Sequence, residues 1–233
     1  VAKPVITAFD WVPDFAKGQV RDFRVRWALE EVGQPYEVRY LSQGEQKGPE
    51  HRARQPFGQV PTYEEDGLTL FESGAIVHHI ASKWPGLFPD DIAGRSLVTE
   101  WMFAALNTVE PPISELAYVD IFEADKSWSK PRRPSVEERI ATRLKEVARR
   151  LGDREWLAGH FSAGDLLMVS VLRIIEDDPL LAAHPTLVAY VKRGTDRPAF
   201  RRAIDAQIAG FTGSPPAGFA EWEAKLKACA AAD

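Results

Sequence analysis

The chain has 233 residues, 45% of them hydrophobic and 27% charged, which is enough to bury an ordinary core as one large domain or two small ones. Its 29 Lys and Arg against 34 Asp and Glu leave a formal charge of -5, so no global field recruits nucleic acid or an acidic membrane surface. A single cysteine, Cys229, excludes both an intramolecular disulfide and a cysteine metal site.

Three further absences shape the expectation. The opening "VAKPVITAF" has no long apolar core, no run approaches bilayer length, and the five histidines show no metal-ligand spacing. The reading is a cytoplasmic protein with no metal, no membrane partner and no nucleic-acid partner.

In chain order, Val5 to Phe9 reads as a buried strand. Val20 to Val32 reads as a helix with Val20, Phe23, Trp27 and Leu29 inward, stopped by Gly33. Tyr36 to Leu41 is a second strand, and "SQGEQKGPEHRARQPFG" is polar and punctuated, with a short irregular helix at Pro49 to Arg54. Next comes a hairpin, Val60 to Tyr63 against Leu68 to Phe71, turned by Asp66-Gly67, and a helix from Gly74 to Lys83. The order βαβαββα gives a parallel pair with a right-handed crossover plus an antiparallel pair, a thioredoxin-like mixed sheet.

Beyond Ile92 the pattern is helical throughout: Ala93 to Glu123, Ser135 to Leu151, Ala163 to Ile175, Pro185 to Arg193 and Ala199 to Ile208. The predicted organisation is an α/β domain over 1–85, a linker over 86–93 and an all-α domain over 94–233. "SAGDLL" matches a capping box, Ser162 with Asp165, and Phe161 is placed to staple onto the helix. The Ala/Gly/Pro-rich end, "GSPPAGFAEWEAKLKACAAAD", reads as partly loose or draped over the body.

The ends of the hairpin carry the chemistry. Pro61 has no N–H to give a ladder, so it belongs at a strand end. Glu72-Ser73 sets a carboxylate and a hydroxyl at a helix start, where unpaired N–H groups and the dipole favour an anion such as a ligand carboxylate. Taken alone, the same residues also fit an ordinary edge proline and a simple helix cap.

Taken together, the βαβ unit, Val60-Pro61, Glu72-Ser73, "WPGLFPDD" and "SAGDLLMV" resemble the soluble glutathione transferase family along nearly the whole chain. The resemblance implies a cis Val60-Pro61 bond with Val60 reading the cysteinyl part of glutathione through its main chain. It implies that Ser73 and Glu72 hold the γ-glutamyl end, and that Gln46, Lys47 and Gln59 meet the glycyl carboxylate. Gln59 fits a solvated loop position equally well. It further implies glutathione as co-substrate, a homodimer, a detoxification role, and a small apolar electrophile held by Trp11, Trp101, Phe103 and Tyr118, with Trp128 nearby. An aromatic residue at helical spacing is also ordinary core.

One departure stands out. Members of the family usually offer a Tyr, Ser or Cys to the glutathione sulfur, yet Phe9 to Trp27 contains no Tyr, Ser, Thr or Cys. Gly18, Gln19 or Val20 stands where the serine or cysteine would be, and Ala8 near where a strand tyrosine would be. Two readings follow. In one, the chain is a transferase whose thiolate is favoured by main-chain donors at the start of the first helix, with Lys17 as an electrostatic helper or solvated loop residue and Gln19 or Trp11 facing the sulfur. In the other, it is a non-catalytic glutathione-binding or interaction protein of the same fold.

Overall fold

The computed structural model describes residues 3–230. Strands β1 (Val5–Phe9), β2 (Glu37–Leu41), β3 (Thr62–Glu65) and β4 (Leu68–Phe71) form one sheet in the order β2-β1-β3-β4. β1 runs parallel to β2, with Val5 opposite Glu37, and antiparallel to β3, with Val5 opposite Glu64. In the hairpin Thr62 faces Phe71. Helices α1 (Asp22–Glu31), α2 (Pro49–Arg52) and α3 (Ser73–Lys83) complete the thioredoxin-like half. The first helix starts two residues later than its apolar pattern suggests. Phe23 N–H already bonds Val20 O at 2.9 Å, but Arg21 supplies no side-chain cap.

The helical half comprises α4 (Ile92–Phe103), α5 (Glu110–Ala117), α6 (Ser129–Leu151), α7 (Ala163–Leu172), α8 (Pro179–Ala182), α9 (Pro185–Thr195), α10 (Pro198–Ala209) and α11 (Phe219–Ala230). The expected helix over 93–123 is continuous but carries π-helical turns at Ala104–Val109 and Tyr118–Phe122. Pro111 and Pro112 explain the first, because neither has an N–H for the carbonyl one turn back, and the ladder widens there. Helix α6 begins at Ser129, not Ser135. Pro131 falls in its first turn, where no N–H is needed, Pro134 is carried inside the helix, and the buried Ser129 hydroxyl ties the start to Val119 O at 2.6 Å.

Asp165, fully buried at the head of α7, realises the capping box with Ser162 and also accepts from Leu157 N at 2.9 Å and Tyr190 Oη at 2.9 Å. The Phe161 ring packs between Trp27 and Trp156, with ring centroids 5.7 and 4.9 Å away. Trp27 and Phe23 on α1 also meet Phe200 of α10 edge-on, so α1 is the hinge of packing between the two halves.

Of the two expectations for the end, partly loose or draped over the body, the draped one is met by α11. Its Phe219 ring packs on Trp11 at 4.7 Å and its Trp222 lies 6.2 Å from Phe15, so the tail is a helix draped over the loop that follows β1.

Candidate functional site

The strand register brings the sequence motifs to one place. Because Thr62 faces Phe71, Val60-Pro61 and Glu72-Ser73 lie at the same end of the hairpin, away from the Asp66-Gly67 turn. β1 runs antiparallel to β3, so its carboxyl end and the loop into α1 arrive at that end too. The Val60-Pro61 bond is cis. Val60 stands ahead of Thr62, the first paired residue of β3, so its main-chain groups lie outside the sheet ladder. Gln46 and Lys47 belong to a 3-10 turn pressed against Gly58, whose φ is +63°. A Cβ there would stand 2.8 Å from Gln46 O and 3.1 Å from Lys47 Cδ, so this turn is held beside Gln59-Val60. Gln59 is exposed, and its carbonyl is taken by His51 Nε2 at 2.6 Å.

Ser73 is the first residue of α3 and is buried, while Glu72 before it is exposed and has φ +66°. A side chain held in that region costs about 1–3 kcal/mol, a strain that recurs where a backbone is shaped for a ligand. Beside Ser73 lies a cluster that sequence reasoning missed. Arg24 Nη1 donates to Ser73 Oγ at 3.4 Å and to Glu110 Oε2 at 3.1 Å, and its Nη2 donates to Glu110 Oε1 at 2.9 Å. Arg21 also donates to Glu110, at 2.9 Å. Glu110 is the residue before the two prolines that widen the long helix. Burial pushes its carboxyl up, but the charges of Arg24 and Arg21 outweigh this and hold it below the ordinary glutamate range. Burial pulls Arg24 down while Glu110 opposes it. Two guanidiniums on one carboxylate leave one excess positive charge next to the Ser73 hydroxyl and the open N–H groups of α3. The only signal in the sequence was two arginines three apart on one helix face.

The stretch in place of the usual sulfur-facing residue lies against the helical half. Gly18 has φ +79° and its carbonyl accepts from Arg173 Nη1 at 3.1 Å; Gln19 Nε2 donates to Arg173 O at 3.2 Å. Lys17 is paired with Asp14 at 2.7 Å. The four aromatic residues expected around an electrophile have different surroundings. Trp11 sits under α11; Trp101 is partly buried, with its Cβ against Gly164 of α7; Phe103 is exposed. Tyr118 lines an open cavity of about 760 Å³ with Trp128, Glu115, Glu123 and Arg132. Among the described residues no group of His, Cys, Asp and Glu is arranged to hold a metal ion, and no helix is long and apolar enough to cross a membrane.

A thioredoxin-like sheet whose hairpin end presents a cis-proline and a cationic helix start, docked on an all-helical half, defines a class of protein. The family model "Glutathione S-transferase, N-terminal domain" matches residues 6–82. A probable glutathione S-transferase of Oryza sativa subsp. japonica is 33% identical over 174 residues, 70% of this chain and 80% of the relative. Glutathione S-transferase 4 of Zea mays is 29% identical over 231 residues, 92% of this chain and 98% of the relative. A glutathione transferase of Burkholderia graminis, solved with two glutathione molecules per subunit, is 26% identical with a TM-score of 0.78, covering 88% of each chain. The chain belongs to the glutathione S-transferase family.

Proposed function

We propose that the protein conjugates the glutathione thiolate to a small apolar electrophile. The observation that carries this reading is the convergence of Ser73, Arg24 and Val60-Pro61 at one end of the sheet. The γ-glutamyl carboxylate binds at Ser73 and the first amides of α3, beside the excess charge of the Arg24-Glu110-Arg21 cluster, while exposed Glu72 takes the ammonium. Val60 reads the cysteinyl main chain, and Gln46, Lys47 and Gln59 meet the glycyl carboxylate. The relatives' names and the glutathione-bound Burkholderia structure support glutathione as the co-substrate.

For the sulfur, the reading assigns the start of α1. A free thiol with pKa about 8.5 is only about 3% ionised at pH 7, and lowering it by about two units makes the thiolate the major form. Among the described residues no acceptor faces the amides of Val20 and Arg21, so these N–H groups remain for an anion. Lys17, paired with Asp14, adds the smaller share, and Gln19 is held by Arg173. Residues 1–85 hold glutathione, and 94–233 supply the electrophile wall, where Phe219 and Trp222 join Trp11 and Phe15.

Calorimetry on Ser73→Ala tests the assignment. Loss of a charge-assisted hydrogen bond costs about 1.5–3 kcal/mol, roughly a tenfold to hundredfold weaker glutathione Kd. Unchanged affinity overturns the site. A second reading, glutathione binding without turnover, is favoured by the missing Tyr, Ser or Cys between Phe9 and Trp27. It predicts the same Ser73 dependence but no product from a panel of model electrophiles.

A further inference from the structure

The backbone proposed to favour the thiolate is anchored from outside its own half. Arg173 follows α7 and is buried, its guanidinium beside the rings of Phe23 and Phe200, 5.3 and 4.9 Å from their centroids. It clamps two successive residues in opposite senses: its Nη1 donates to Gly18 O, and its own carbonyl accepts from Gln19 Nε2. Gln207 of α10, also buried, donates to Val20 O at 3.2 Å and to Asp22 Oδ1 at 2.7 Å. A Cβ at Gly18 would stand 2.9 Å from Ile204 Cδ1, so the loop lies flush on α10.

Peptide geometry turns these anchors into a direction. The Val20-Arg21 bond is trans, so its C=O and N–H point to opposite sides. The Val20 carbonyl accepts from Gln207 Nε2 at 3.2 Å as well as from Phe23 N at 2.9 Å in the first turn of the helix, and with both holding it the Arg21 N–H is turned away from α10. The Gly18 carbonyl, drawn to Arg173, turns the Gln19 N–H away likewise, where it closes onto Ala16 O at 3.0 Å and fixes the preceding turn. We propose that Arg173 and Gln207 are positioning residues: from the helical half they orient the backbone of residues 18–21 so that the Arg21 amide faces the glutathione sulfur. The inference rests on the proposed main-chain activation. The charged groups around the clamp are Glu176 at 3.6 Å from Arg173, the Asp22-Arg26 pair beside Gln207, and Lys17 with Asp14 in the loop.

Ultraviolet titration of the bound thiol in the parent, Arg173→Met, Arg173→Lys and Gln207→Met tests the clamp, with the Kd of S-methylglutathione as a thiol-free control. The expected result is a bound-thiol pKa raised by about one unit in both methionine variants, about a threefold loss of kcat at pH 7, partial rescue in Arg173→Lys, and a control Kd within about twofold. Gln207 carries no charge, so its effect isolates geometry from electrostatics, and it decides alone if Arg173→Met does not fold. A lowered pKa in the parent that is unmoved in the variants overturns the clamp while main-chain activation stands. A parent thiol titrating at its free value overturns both.

Discussion

Glu110 shows how much a single side chain can hold together. Its carboxylate joins Arg21 and Arg24, and through Arg24 it reaches Ser73. Glu110→Gln leaves a buried guanidinium without its counter-charge and is expected to cost about 3–5 kcal/mol in denaturant unfolding. The sign of the pH dependence follows from the depressed pKa of the folded state. The contribution is fully present above the unfolded glutamate value of about 4.3 and is lost as pH falls through the lower folded value. The melting temperature of the wild type therefore drops toward that of Glu110→Gln as the buffer is taken below pH 4, and a constant gap between them refutes the ion cluster. At this scale the sequence showed Ser73 and Val60-Pro61, because their chemistry depends on near neighbours in the chain. It hid Arg24 and Glu110, 86 residues apart, because their pairing exists only once folding brings α1 within side-chain reach of the start of α5.

The elements were legible where local rules decide and illegible where tertiary contact overrides them. The hairpin, α3 and the capped start of α7 follow from turn and cap chemistry. The start of α6 was hidden by "KPRRP", since prolines read as breakers unless a neighbour accepts the helix end, as Val119 does for Ser129. Helix α11 was hidden by the breakers just ahead of it, Gly213, Pro215, Pro216 and Gly218, which read as a loose segment although the residues that follow are strong helix formers. What orders it is the aromatic contact with Trp11 and Phe15, a partner more than 200 residues away in the chain. Asp165 gives the test at this scale. Four bonds end on it, from Ser162 N, Ser162 Oγ, Leu157 N and Tyr190 Oη, and burial alone pushes its carboxyl up against them. Asp165→Ala strands these buried donors and is expected to cost about 3 kcal/mol or more. A chemical-denaturation midpoint unchanged at constant slope would show that the box is not needed.

At the scale of the whole molecule, the two halves are tied by ion pairs as well as packing: Arg197 to Glu31 at 2.6 Å and Arg202 to Glu30 at 2.6 Å. What the single chain leaves open is apolar surface elsewhere. Phe57 is 61% exposed, Phe103 61% and Ile92 84%. We propose a homodimer of two-fold symmetry, with α3 and the long helix starting at α4 in its interface. Light scattering should give twice the chain mass at micromolar concentration, and Phe57→Ser should shift the equilibrium toward single chains. A single-chain mass for the parent across that range overturns the dimer.

The draped tail has a practical consequence for experiment. Cys229 is the chain's sole thiol and stands on α11, partly exposed, on the same helix as Phe219 and Trp222. A dye coupled to it labels one site without any engineered cysteine. Trp11 is the natural quenching partner, since it touches Phe219 and precedes the loop that leads into α1. The emission of that dye becomes a direct readout of whether the tail stays docked when glutathione and an electrophile arrive.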